Sequence, residues 1–192
     1  MSTNIKVHPS GYLELFLGPM WAGKTSALVD IYNRATTQGL SCIAINHELD
    51  VSSIKSVITS HANDSIPCVS CNQLLQIFNT SDLSAVFNYD IILINEGQFF
   101  PDLYDWTKYM VNILCKHIYI AALDGDYKQI AFPNIIQVLP QADQFTKLHN
   151  MCKKCSKDVA IFTRRTCRNN SIILPGTDYI PLCRKCYNTK SI

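Results

Sequence analysis

The sequence predicts an α/β fold, a parallel sheet with helices on both faces, followed by a small cysteine-rich appendage. Short apolar runs alternate with amphipathic stretches over the first 150 residues, the pattern of parallel strands joined by crossover helices. One run, residues 89–94, is apolar at successive positions and so buries both faces, as a central strand of such a sheet does. After about residue 150 Cys, Lys and Arg cluster and helical periodicity stops.

The elements follow in order. Tyr12–Leu17 is an apolar run ending at Gly18 and reads as a buried strand. In Lys24–Thr37 the residues Ala27, Leu28, Ile31 and Ala35 recur at helical spacing, and Gly39 supplies the stop. Residues 41–45 form a second short strand, 46–64 lack periodicity and read as loop, and 73–78 read as a short helix. A helix is expected from Pro101 in its first turn to Cys115, then a strand over 118–123. Beyond residue 150 the strand-like pieces are 159–163 and 171–174.

Composition narrows the function classes. The 192 residues make one domain or a domain with an appendage, and 47% hydrophobic content is enough for a core. A net charge of +2 does not advertise a nucleic-acid or anionic-membrane partner. No apolar run reaches the roughly 18–20 residues of a membrane span, and the amino terminus lacks a signal-type apolar stretch. A cytoplasmic protein is expected. Nine cysteines form three CxxC pairs, Cys68/Cys71, Cys152/Cys155 and Cys183/Cys186, with Cys42, Cys115 and Cys167 single. Without a secretory signal, metal ligands or buried thiols are better readings than disulfides.

Gly18-Pro19-Met20-Trp21-Ala22-Gly23-Lys24-Thr25 fits G-x-x-x-x-G-K-[ST] between a strand and a helix. Gly23 lets the backbone curl so that successive N–H groups share one concavity, Lys24 brings a charge to the terminal phosphates, and Thr25 offers a hydroxyl to Mg²⁺. Such a loop wants an acidic residue at the end of a neighbouring strand. Asn95 stands at the first such position and Glu96 at the next, where a carboxylate can act as general base. Cys152-Lys153-Lys154-Cys155 and Cys183-Arg184-Lys185-Cys186 are two knuckles separated by residues 156–182. Together they offer four thiolates, a closed tetrahedral set suited to structural Zn²⁺. Cys68/Cys71 has no second pair nearby.

In this order and spacing, the loop, the acidic strand end and the knuckles resemble the zinc-containing cytosolic-type (type II) thymidine kinase family over about residues 10–187. Glu96-Gly97-Gln98-Phe99-Phe100-Pro101-Asp102 resembles its acidic motif, and Ala121-Ala122-Leu123-Asp124-Gly125 the strand and turn before its nucleoside site. Tyr127 falls where the family carries the aromatic that stacks on thymine. The resemblance implies a P-loop (RecA-like) nucleotide-binding domain over 1–150 and a zinc-ribbon lasso domain over 151–192 that closes over the nucleoside. It implies transfer of the γ-phosphoryl of ATP to the 5′-hydroxyl of thymidine, forming dTMP, with Mg²⁺ accompanying ATP and Zn²⁺ structural. Glu96 would be the base, and Asp50, Asn95 and Gln98 would join residues 18–25 on the ATP side. Met20, Phe99, Leu123, Tyr127, Phe132, Thr163, Leu174, Pro175, Gly176 and Tyr179 would surround the nucleoside. A homotetramer, feedback by dTTP, and no nucleic-acid or membrane partner are likewise implied.

The chain departs from the family pattern at Asn95, which replaces a metal-positioning Asp, and at Ser52 and Gln129, which stand where Arg is usual. Leu174-Pro175-Gly176 replaces paired glycines. Activity is expected to survive Asn95 with a raised Mg²⁺ requirement. Two other readings stay open: a catalytically impaired nucleotide-binding relative, motivated by Asn95, and a nucleic-acid-binding zinc-ribbon ATPase, motivated by Lys153, Lys154, Lys157, Arg164, Arg165, Arg168, Arg184, Lys185 and Lys190. Four metal-bound thiolates offset much of that positive charge.

Overall fold

The computed structural model describes residues 4–50, 56–60, 63–77, 85–167 and 178–189. In chain order the elements are β1 (Tyr12–Leu17), α1 (Lys24–Thr37), β2 (Cys42–His47), β3 (Val57–Thr59), β4 (Ser65–Pro67), β5 (Val69–Cys71) and β6 (Ile91–Ile94). They continue as α2 (Leu103–Asn112), β7 (His117–Ala122), α3 (Pro133–Val138) and β8 (Gln144–Lys147). Beyond these lie β9 (Asn150–Met151), β10 (Val159–Ala160), β11 (Phe162–Arg165), β12 (Tyr179–Leu182) and α4 (Arg184–Asn188).

Six strands form one sheet in the order β5-β2-β6-β7-β1-β8, and every neighbouring pair is parallel. The twofold alternation of a strand sorts its side chains to two faces. Leu13, Leu15, Ile43, Ile45, Ile92, Ile94, Ile118 and Ile120 pack in one cluster with Leu103, Trp106 and Met110 of α2 and Ile135 and Val138 of α3. Phe16, Ala44, Ile91, Leu93, Tyr119 and Ala121 pack in another with Leu28, Val29, Ile31 and Ala35 of α1. Burial on both faces is the reason these strands read as continuous apolar runs. A third, smaller cluster joins Cys152, Ala160, Leu182, Cys183 and Cys186. Among the described residues no helix is long and apolar enough to cross a membrane.

β1 and α1 fall where the sequence places them. β2 runs two residues past 45, because buried His47 packs edge-on against Phe100 at 4.7 Å. The loop expected over 46–64 instead holds β3, which pairs antiparallel with β4 just beyond it. Ile58 and Ile66 anchor that hairpin in the α1-side core, and strands of three residues are too short to show an alternation. The helix expected over 73–78 is one 3-10 turn at Leu74–Gln76, closed by a Gln73/Gln76 capping box. The helix after Pro101 starts at Leu103 and ends at Asn112. The 159–163 piece divides into β10 and β11, which pair with β9 and β12 respectively. The 171–174 piece lies outside the described residues. The sequence reading did not anticipate α3 or β8. The latter, Gln144–Lys147, is mostly exposed and joins the sheet by backbone pairing with β1.

Ile92 is fully buried in the central strand, so Ile92→Ala should lower the unfolding free energy by about 2–5 kcal/mol. Urea denaturation measures this, and a loss under about 1 kcal/mol would show that β6 is not the centre of the core.

Candidate active site

The strands of the central sheet all end at one edge, the place where parallel sheets build sites. At the end of β1 the chain turns through Gly18, with φ of +150°, where a Cβ would collide with the Leu148 carbonyl oxygen. Trp21 (φ 67°) and Gly23 (φ 84°) are left-handed and curl the loop into α1, whose first turn carries no acidic side chain. That helix start suits an anion. Lys24 is buried, and its Nζ folds back to donate to the Pro19 carbonyl at 2.8 Å. Burial pushes the Lys24 pKa down, while the charges of Glu96 and Asp124 push it up.

Two places along the sheet, β6 is followed by Asn95 and Glu96. Glu96 is left-handed at φ 54°, a conformation that costs a non-glycine residue about 1 kcal/mol or more and that surrounding contacts must hold. Several do. Gln98 donates Nε2 to the Glu96 carboxylate at 2.5 Å and accepts from the Leu123 N–H at 2.9 Å, tying the ends of β6 and β7 together. Asn134 of α3 donates Nδ2 to the carbonyls of Gly97, Gln98 and Phe100 at 3.2, 3.1 and 3.0 Å. At Gly97 a Cβ would sit 2.6 Å from the Ile120 side chain, so only glycine fits. Burial pushes the Glu96 pKa above its ordinary value, and the Lys24 charge opposes this. Asp50 adds to the rise and Gln98 subtracts from it.

On one side of the loop, Thr25 Oγ1 lies 3.3 Å from Asn95 Oδ1, Asn95 Nδ2 lies 2.9 Å from Asn46 Oδ1, and Asn46 Nδ2 lies 3.1 Å from the Asp50 carboxylate. On the other side Phe99 and Phe132 meet edge-on at 6.5 Å. The Met20 N–H donates to Thr163 Oγ1 at 2.9 Å, joining the loop to β11, and Asn150 Nδ2 donates to the Trp21 carbonyl at 2.7 Å. Tyr127 carries the Arg165 guanidinium 3.8 Å over its ring, and Arg165 donates to the Tyr179 hydroxyl at 2.8 Å. The Tyr187 hydroxyl donates to the Tyr127 carbonyl at 2.6 Å.

Residues 18–25, Asp50, Asn95, Glu96 and Gln98 thus come to one edge, and Tyr127, Thr163 and Tyr179 are brought together by the carboxyl-terminal segment. Leu174, Pro175 and Gly176 lie outside the described residues. Asn46, Asn134 and Arg165 escaped sequence reading as site residues. For Asn46 a signal existed, since it closes an apolar run that ends at the same sheet edge; Asn134 and Arg165 carry none.

The sulfur atoms of Cys152, Cys155, Cys183 and Cys186 lie within 4.8 Å of one another, with 3.9 Å between those of Cys155 and Cys183. A tetrahedral metal with bonds of about 2.3 Å to sulfur needs about 3.8 Å between its ligands. The donor set therefore fits such an ion. Cys183 also caps α4, its sulfur accepting from the Cys186 N–H at 3.5 Å. Cys68 and Cys71 are free thiols whose pKa values burial pushes up, to about 11 at Cys71.

A buried loop lysine at a helix start and a strand-end carboxylate at the same sheet edge form an arrangement suited to phosphoryl transfer. The class is a P-loop phosphotransferase. The thymidine kinase family model matches residues 11–187. The chain is 35% identical over 179 residues to the thymidine kinase of Sheeppox virus (strain KS-1), covering 92% of this chain and 97% of that protein. It is 33% identical over 183 residues to the thymidine kinase of Amsacta moorei entomopoxvirus, covering 92% and 97%. To thymidine kinase a of Arabidopsis thaliana it is 30% identical over 184 residues, covering 95% and 77%. The chain belongs to the thymidine kinase family and is a nucleoside kinase.

Asn134→Leu removes the donor shared by three carbonyls of the Glu96 turn. The carbonyls of Gly97 and Phe100 keep the N–H groups of Phe100 and Leu103, so the change should cost about 1–3 kcal/mol in urea denaturation, chiefly the penalty for the buried Gln98 carbonyl. Unchanged stability would mean that the turn holds its shape without α3.

Proposed function

We propose that the chain transfers the γ-phosphoryl group of ATP to the 5′-hydroxyl of thymidine, yielding ADP and dTMP. The observation that carries this reading is the placement at one sheet edge of Lys24, buried at the start of α1, and Glu96, just past β6. Lys24 Nζ exchanges the Pro19 carbonyl for phosphate oxygens, and the start of α1 adds its positive partial charge. Asp50, Asn95 and Gln98 line the ATP side. Thr25 Oγ1 would hold Mg²⁺ beside the phosphates, where the ion would offset the charge that develops on them. Glu96 takes the proton of the 5′-hydroxyl as that oxygen attacks the γ-phosphorus and the bond to the ADP oxygen breaks. A carboxylate with a raised pKa is the stronger base, which suits this role.

Thymidine lies among Met20, Phe99, Leu123, Tyr127, Phe132, Thr163 and Tyr179. Arg165 holds one face of the Tyr127 ring, so thymine stacks on the opposite face. Residues 1–150 form the ATP-binding domain and residues 151–192 a lasso whose two ends are tied by Zn²⁺ on Cys152, Cys155, Cys183 and Cys186. Four protein ligands leave no open position, so this ion is structural. The family resemblance also supports a cytoplasmic homotetramer restrained by dTTP. Edge strand β8 presents Phe145, 59% exposed, as apolar surface that a second copy can cover.

A steady-state assay with thymidine and Mg-ATP tests the reading directly; no dTMP would overturn it. Glu96→Gln should keep ATP affinity and lower kcat by roughly 10²–10⁴. A base must be ionised, so wild-type kcat should fall as pH drops through a pKa above the ordinary carboxyl value of 4.5, and this acid limb should vanish in Glu96→Gln. Turnover within a few-fold of wild type would remove Glu96 from the role. Metal analysis of washed protein should find one Zn²⁺ per chain, and Cys183→Ser should weaken thymidine binding more than ATP binding. Normal thymidine affinity in that variant would separate the knuckles from the nucleoside site.

A further inference from the structure

A carboxylate beside a metal ion offers an acceptor oxygen whichever way it is turned. An asparagine does not: one terminal atom of its amide accepts and the other donates. Asn95 stands beside Thr25, the hydroxyl residue of the phosphate loop, and its usefulness there depends on which atom faces Thr25.

The surrounding contacts decide it. Asn46 and Asn95 lie at the ends of adjacent parallel strands, one step past the Ile45–Ile94 pair, and the Asn95 N–H bonds to the Ile45 carbonyl at 2.8 Å. The two residues are 1% and 2% exposed, so water does not compensate for a mismatched contact. Asp50 is brought back over Asn46 by a turn in which its N–H bonds to the His47 carbonyl at 2.9 Å. The Asp50 carboxylate only accepts, so the Asn46 atom facing it at 3.1 Å is the amide nitrogen. Asn46 then turns its oxygen to Asn95, which meets it with nitrogen at 2.9 Å and leaves its own oxygen toward Thr25 at 3.3 Å. Reversing one amide sets two acceptors or two donors against each other, and reversing both sets an oxygen against the Asp50 carboxylate.

The geometry points to Asn46 and Asp50 as positioning residues that lock the Asn95 amide with its oxygen toward Thr25, giving this chain a neutral oxygen for the divalent cation of a metal–ATP complex, or for a water on that cation. The inference rests on the ATP-binding reading of this edge. Two adjacent oxygens are what a hard cation or its water shell takes.

The test titrates ATP into the full chain calorimetrically, once with excess Mg²⁺ and once with EDTA. The quantity read is the gain in ATP affinity that Mg²⁺ confers. Asn46→Leu should cut that gain about 3- to 10-fold, the worth of one hydrogen-bonded contact, and leave metal-free affinity within about twofold. Asn46→Asp should restore it, because the new carboxyl accepts from the Asn95 amide and shares one proton with Asp50. Asp50→Asn, at a partly exposed turn, removes the fixed polarity and should also cut the gain. It keeps the test decisive if the buried substitution does not fold.

A purely structural role would lower both affinities together. That result, an unchanged gain in Asn46→Leu and Asp50→Asn, no gain in the wild type, or no rescue by Asn46→Asp would each overturn the proposal. Thymidine phosphorylation is measured on the same samples. A metal-dependent gain lost in Asn46→Leu, in a wild type that forms no dTMP, would count for the amide chain and against the kinase reading.

Discussion

Every neighbouring pair in the central sheet is parallel, and parallel strands can be joined only by crossovers that return the chain to the starting edge. The constraint has two consequences. Helices cover both faces, so the strands must be apolar on both, as Ile91–Ile94 is at every position. The strands also end together, so the phosphate loop after β1, Asn46 of β2, Asn95 and Glu96 after β6, and Leu123 and Asp124 after β7 share one rim. Residues far apart in sequence become one site through the direction of the strands.

Charge at that rim is mutually supported. Burial penalises the charged forms of both Lys24 and Glu96, and each favours the charged form of the other. Lys24 is further supported by Asp124, which is itself paired with Lys147 at 2.7 Å. Glu96 is held left-handed by a glycine that fits under Ile120 and by Gln98 and Asn134. A carboxylate kept in a left-handed turn near a buried lysine needs its backbone held in place. Here the placement comes from amide side chains bonded to backbone carbonyls and N–H groups.

The carboxyl-terminal segment reaches the site by specific polar contacts. Met20 N–H to Thr163, Asn150 to the Trp21 carbonyl, and Tyr187 to the Tyr127 carbonyl connect it to the loop and to the turn after β7. Its own apolar cluster is small and includes three of the four knuckle cysteines. So few buried side chains supply little burial energy, and a metal crosslink is a common remedy for a segment of this size.

The sequence by itself determined the strand–loop–helix of 12–37, the central strand at Ile91–Ile94, the carboxylate that follows it and the four-cysteine set. Each is written in a local pattern: a run of apolar residues, a helical spacing, a glycine-bounded lysine, a CxxC. Tertiary structure alone decided the β3–β4 hairpin, the addition of β8 to the sheet, the bracing of the Glu96 turn by Asn134, and the seating of Arg165 over Tyr127. It also decided the orientation of the Asn95 amide, which depends on Asn46 and Asp50 across the strand boundary. The physical reason is common to these cases. A hydrogen bond between residues tens of positions apart, or a short strand stabilised by its neighbour's backbone, leaves no periodicity in the residues that make it.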